Sequence, residues 1–104
     1  PIFAVVPDRP SMANEAHRIA AHLRANSHDQ YRIWTAFRGN SKSQSEKAKK
    51  DGVDAIIYVR EDNDPRKVIH VTNLGHSNIT ATFDLMHIQR RLPAPYSVAS
   101  GGDE

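Results

Sequence analysis

Ile2, Phe3, Ala4, Val5 and Val6 form an unbroken apolar run closed by Pro7 and Asp8. A run this short, apolar at odd and even positions alike, fits a strand buried on both faces and placed centrally in a sheet. Val53 to Val59 repeats the pattern, with Val53, Ala55, Ile57 and Val59 on one face and Ile56 and Tyr58 on the other. These two strands are expected to be neighbours, each needing cover on both sides. The segments between and after them then decide the fold class.

From Ser11 the period changes. Met12, Ala16, Ile19, Ala20 and Leu23 recur at spacings of three and four, while His17, Arg18, His22 and Arg24 fill the other face, which predicts an amphipathic helix. Ser11 after Pro10 is its expected N-cap. Asn26, Ser27, His28 and Asp29 are its expected stop, because their side chains compete for backbone hydrogen bonds. Tyr31 to Phe37 alternates in strand-favouring residues, with Tyr31, Ile33, Thr35 and Phe37 on one face, until Gly39 and Asn40 break it. Ser41 to Asp51 reads as a second helix, with capping boxes available to Ser41 with Gln44 or Ser43 with Glu46, and with Gly52 closing its end. Ala48 is nearly its sole apolar residue, so this helix should lie on the surface and show a basic face to solvent.

Glu61 to Pro65 has turn composition, and Lys67 to Thr72 resumes a β pattern short enough to return as an antiparallel edge strand. Leu74 to Asn78 is a further turn. Ile79 to Leu92 fits both an alternating and a helical pattern; the reading taken is a helix, extended at its start around Thr80 and Thr82. Residues 93–104 read as a Pro-containing flexible tail, which leaves residues 1–92 as a single α/β domain. The order strand, helix, strand, helix, strand, strand, helix implies two right-handed crossovers and a mostly parallel sheet of about four strands, two-layered or an incompletely covered three-layer. An exposed sheet face or edge in so small a protein is a common route to dimers, so a homodimer is a candidate assembly.

Composition removes several chemistries. The 104 residues include no cysteine, which excludes disulfides, thiolate metal sites and cysteine nucleophiles and fits a cytoplasmic setting. No apolar run is long enough to cross a bilayer, and the opening residues lack a signal-peptide pattern, so no membrane association is expected. Fourteen Lys and Arg against twelve Asp and Glu leave a net charge of +2, too little to select a partner by itself. The six histidines show no tight ligand spacing, so no metal site is expected. There is no Gly-x-Ser-x-Gly elbow, no paired-carboxylate arrangement and no cofactor fingerprint.

The segment with most chemical content is Arg38, Gly39, Asn40, Ser41, Lys42 and Ser43. It follows a parallel strand and opens a helix, where unpaired backbone N–H groups and the helix dipole favour an anion. Gly39 permits close backbone approach, Ser41 and Ser43 add hydroxyls, and Arg38 and Lys42 add charge, at the end of a sheet where open α/β folds bind ligands. Helix capping alone would select the same residues. Lys42, Lys47, Lys49 and Lys50 could meet phosphates of RNA or DNA, with Trp34 or Tyr31 as a stacking ring, and the plainer reading of these lysines is a solvated helix face.

Two resemblances bear on enzymatic alternatives. His70, Val71 and Thr72 on a predicted strand resemble one copy of the histidine-x-threonine motif of the two-histidine phosphoesterases, which implies an acid–base role for His70 in a site completed by a second subunit. Pro1 followed by Ile2 to Val5, a helix and a strand is similar to the tautomerase superfamily. That likeness implies Pro1 as a base with Arg9 or Arg38 binding an acidic substrate, although the chain departs from the family repeat from Gly39 onward. The reading preferred on the residues is a small non-catalytic binding or interaction module, meeting nucleic acid or a phosphate-bearing ligand through Arg38, Gly39, Asn40, Ser41, Lys42, Ser43, Lys47 and Lys50. Beside it stand a small enzyme dependent on Pro1 or His70 and a protein–protein adaptor using a sheet edge and the segment from Pro93 to Tyr96.

Overall fold

The computed structural model of the protein describes residues 1–61, 67–73, 85–92, 94 and 96–100. The expected turns at 62–65 and 74–78 and the extended start expected at 79–82 lie outside the described residues. In chain order the elements are β1 (Ile2–Pro7), a 3-10 turn (Pro10–Met12), α1 (Ala13–Ala25), β2 (Arg32–Trp34), α2 (Ser41–Lys50), β3 (Ala55–Glu61), β4 (Lys67–Asn73), α3 (Leu85–Arg90) and β5 (Ser97–Ser100). The strands form one sheet in the order β2-β1-β3-β4-β5. The first three run parallel, with Phe3 opposite Ile33 on one side and Ala55 on the other. β4 returns antiparallel beside β3, and β5 lies parallel to β4.

This is the expected α/β architecture, with β1 and β3 adjacent inside the sheet. Phe3 and Val5 of β1 point into a core shared with Ala16, Ile19, Ala20 and Leu23 of α1 and Ile88 of α3. Ala4 and Val6 point the other way, into a smaller cluster with Ala48 of α2, Val53 and Ile56. Helices therefore cover both faces, and the cover is unequal because α2 offers only Ala48 as apolar payload. The rest of its buried stripe is polar, Gln44 and Ser45. The Ser45 hydroxyl is satisfied by the Ser41 carbonyl at 2.7 Å and lies 2.9 Å from the Tyr58 hydroxyl.

Several sequence expectations need correction. The sheet has a fifth strand, and it comes from the segment expected to be a tail. Ser97–Ser100 follows the Pro-containing stretch and pairs with the outer side of β4, so β4 is an interior strand and not an edge. Tyr31 to Phe37 pairs over Arg32–Trp34 alone. Its faces are as expected, with Tyr31, Ile33 and Phe37 on the α1 side and Trp34 on the α2 side. Pairing ends at Trp34, and at Phe37 the chain turns aside with a left-handed φ of 53° that no extended strand allows. Ser11 is not an N-cap: it sits inside the 3-10 turn, and α1 starts at Ala13 with no side-chain cap. The expected stop holds, since the Asn26 side chain donates to the His22 carbonyl at 2.8 Å.

A reciprocal pair fastens the start of the sheet. The backbone N–H of Ile2 donates to Asp54 Oδ2 at 2.7 Å, and the N–H of Asp54 donates to the Ile2 carbonyl at 2.8 Å. At the far side of the α1 core, Arg91 donates to the Asn26 carbonyl, the His87 carbonyl and Gln30 Oε1. This one side chain ties the end of α3 to the connection between α1 and β2. It also lies near Tyr31, whose buried phenol donates to the Leu23 carbonyl. Burial raises the Tyr31 pKa above 10.0, and the positive charge of Arg91 opposes the rise in part.

Candidate ligand cleft

In a sheet with this order, β1 leads out to one neighbour of itself while the chain returns through α2 to the other, so α1 and α2 diverge onto opposite faces. A crevice opens between them beyond the carboxyl ends of the strands, where ligands of open α/β folds bind. Here that crevice is a cleft of about 190 Å³. One wall is built by Pro7, Arg9, Pro10, Ala13 and His17, from the end of β1 into α1. The other is built by Phe37, Gly39, Asn40, Ser41 and Gln44, from the loop after β2 into α2.

The second wall has a definite local chemistry. Asn40 is the N-cap of α2: its extended backbone brings Oδ1 to the Ser43 N–H at 2.8 Å, while its carbonyl accepts from the Gln44 N–H at 3.0 Å and the Ser43 hydroxyl at 3.0 Å. The capping boxes expected at Ser41 or Ser43 are not used, because the residue one place earlier takes the role. Ser43 N–H is consumed by this cap, which leaves the N–H groups of Ser41 and Lys42 without a partner in the chain at the positive end of the helix dipole. Gly39 has φ of 84°, and a Cβ there would stand 2.5 Å from the Ser43 hydroxyl oxygen. Glycine thus serves both the left-handed backbone and the closeness of the cap.

Gln44 is the inward-facing residue of the first turn of α2 and is only 3% exposed. Its Nε2 donates to the Gly39 carbonyl at 2.9 Å, which holds the loop against the helix. A carbonyl only accepts, so the amide nitrogen must face it and Oε1 must face away. That Oε1 is buried without a hydrogen-bond partner. Across the cleft the ring of Phe37 stacks on that of His17.

The structure divides the residues singled out from sequence. Gly39, Asn40 and Ser41 line the cleft, whereas Arg38, Lys42 and Ser43 are exposed beside it. Lys47 and Lys50 are exposed in the last turn of α2, with Lys49, where cations complement the negative end of the helix dipole. Ser41 and Lys50 are the first and last residues of the 10-residue α2, roughly 13 Å apart at ~1.5 Å per residue, so they do not share a small site. Tyr31 is buried and offers no stacking ring. Trp34 is half-buried, with Nε1 donating to Asp51 Oδ2 at 2.9 Å. Sequence reasoning missed His17, Phe37 and Gln44 as site residues, and it placed Arg9 near a substrate only by resemblance. For Gln44 a signal existed: with Ala48 four residues on, it occupies the stripe of α2 that must face inward.

Pro1 is exposed at the amino end of β1, and its carbonyl accepts from the Arg32 N–H at 2.9 Å. Arg9 and Arg38 lie beyond the carboxyl ends of β1 and β2, about 20 Å away at ~3.3 Å per residue. The chain therefore does not bring Pro1 together with either arginine. His70 occupies the middle of β4, at the register position between Tyr58 and Ala99. Among the described residues, no group of three or more His, Asp or Glu could hold a metal ion, and no helix is long and apolar enough to cross a membrane.

Comparison with known proteins finds no protein family, no curated protein and no solved structure that matches the chain.

Proposed function

We propose that this protein is a small binding module that holds a phosphate-bearing ligand in the cleft between the start of α1 and the start of α2. The observation that carries the reading is the unpartnered backbone N–H of Ser41 on one wall, with that of Lys42 next to it at the helix start, and Arg9 on the facing wall. N–H groups at a helix start and a guanidinium are the donors that suit a phosphate, the first by fixed direction and the second by charge and fork geometry. Arg38 and Lys42 beside the cleft strengthen the field. The nearest acid in sequence, Asp8, stands 4.0 Å from the Arg60 guanidinium, which offsets its repulsion. The size favours a small molecule: about 190 Å³ falls below the ~300–1,000 Å³ of most ligand pockets.

The test is a titration of isotopically labelled protein with inorganic phosphate and methyl phosphate at low salt, read by amide chemical shifts. Binding in the cleft moves the Gly39, Ser41 and Lys42 amides, and Arg9→Gln weakens it severalfold. Still amides at those positions would end the reading. A parallel salt series with labelled RNA and DNA, on wild type and on a Lys42, Lys47 and Lys50 charge-reversal variant, separates the alternative. Tight, salt-dependent binding lost in that variant would assign the anionic partner to the outer face of α2 instead.

A further inference from the structure

We infer that Gln44 selects the ligand, and that the ligand class is a small phosphate ester carrying a hydroxyl one or two carbons from the ester oxygen. The inference rests on the phosphate reading above and extends it from the anion to the group attached to it. Gln44 is 3% exposed, lines the cleft, and keeps Oε1 buried with no hydrogen-bond partner. Its other end is committed, because Nε2 holds the Gly39 carbonyl at 2.9 Å, so the side chain cannot turn over to satisfy itself without releasing the loop. A buried acceptor left unpaired is costly, and a ligand that supplies a donor removes the cost on binding. An amide oxygen accepts only, so the matching ligand group is an O–H or N–H and never a second anionic oxygen.

Spacing limits the distance of that donor from the phosphate, and a hydroxyl is the donor that a phosphate ester of a small polyol carries. Ser41 and Gln44 stand three residues apart on one helix face, with Cβ atoms about 5–6 Å apart. Ser41 and Gln44 both line the cleft, so a phosphate at the Ser41 N–H shares it with the Gln44 side chain. A phosphorylated small polyol spans that gap and fits a cleft of about 190 Å³. A ligand with an apolar arm would leave Oε1 as it is and gain nothing there. The same geometry makes Gln44 a specificity residue and not a source of general affinity.

The decisive comparison uses glycerol 3-phosphate and propyl phosphate, which share a three-carbon chain and differ in hydroxyls, with wild type and Gln44→Met. Wild type is expected to bind glycerol 3-phosphate roughly tenfold tighter, the range a hydrogen bond to a buried unpaired acceptor supplies. Gln44→Met is expected to bind both esters alike, at the wild-type affinity for propyl phosphate. If both esters bind wild type equally, or the preference survives in Gln44→Met, the inference falls while the phosphate reading stands. If neither ester moves the cleft amides, the phosphate reading itself falls. Should Gln44→Met not fold, the wild-type side-chain amide of Gln44 decides. Its nitrogen resonance must shift with glycerol 3-phosphate and stay with propyl phosphate, and the reverse or no difference overturns the assignment.

Discussion

The ring of Phe37 lies on the ring of His17 with centroids 3.8 Å apart and planes at 30°, and it does so from a backbone held at φ of 53°. Two opposed terms meet in this one residue. A left-handed conformation costs a side-chain-bearing residue about 1–2 kcal/mol, while the ring contributes contact with α1 and the edge of the core.

Opposite effects on these terms give an unusual order of variants. Phe37→Gly removes the ring and relieves the backbone; Phe37→Ala removes the ring and keeps the backbone cost. Urea denaturation should rank wild type first, Phe37→Gly second and Phe37→Ala last, with about 1 kcal/mol between the two variants. Equal stabilities, or alanine above glycine, would mean that Phe37 does not keep its left-handed backbone in solution.

The start of α2 offers a second ordering. Asn40→Ala removes the cap on the Ser43 N–H and should cost about 1 kcal/mol, whereas Asn40→Asp keeps an acceptor and should cost little. Ser41→Ala should leave stability within about 0.5 kcal/mol, because the Ser41 side chain caps nothing. A large loss at Ser41 and none at Asn40 would restore the capping box read from the sequence.

That contrast is typical of what the residues made legible. β1, α1 and β3 were readable because each carries a full apolar period, and the buried residues Phe3, Ala16, Ile19, Leu23 and Ile57 are those the periods pick out. β5 was not, because Ser97 to Ser100 has too few large side chains to mark a strand and owes its place to the free edge of β4. The loop from Arg38 to Ser43 stands out as a candidate anion site from its composition and its position before α2. The opposite wall was not legible, since Arg9 and His17 face the loop only through the crossing of α1 over the sheet, and Phe37 meets His17 from a left-handed turn of the backbone. Nothing in the local sequence requires that turn.

Tyr31 makes the alkaline limb of stability a specific readout. Its folded pKa lies above 10.0 because burial disfavours the phenolate, so the unfolded chain loses this proton first as pH rises. The contribution is fully present below pH 10.0 and is lost as pH climbs through the folded value. Tyr31→Phe removes the hydrogen bond to the Leu23 carbonyl and should cost about 1 kcal/mol near neutrality. The gap between wild type and Tyr31→Phe should then narrow above pH 10.0 in denaturation measured across pH. A gap that stays constant through pH 11 would show that the phenol is not buried in solution.

Arg91 should behave as a clamp between distant parts of the chain. Arg91→Met keeps the aliphatic stem and removes donors to Asn26, His87 and Gln30, which should cost about 1–3 kcal/mol. Hydrogen exchange should rise at the α3 amides, Leu85 to Arg90, ahead of those of β1 and β3. Uniform acceleration across the sheet would indicate instead that Arg91 supports the whole core.

The lysines at the end of α2 separate helix stability from ligand binding. Lys47, Lys49 and Lys50 occupy the last turn, where positive charge complements the carbonyl end of the helix. Lys47→Glu and Lys50→Glu should each destabilise the protein by about 0.3–1 kcal/mol at low salt, less as salt screens the charge. The same variants should leave the affinity of methyl phosphate for the cleft unchanged within twofold, because both positions lie at the opposite end of α2. Phosphate binding that weakens tenfold in Lys50→Glu would move the anion site from the first turn of α2 to its last.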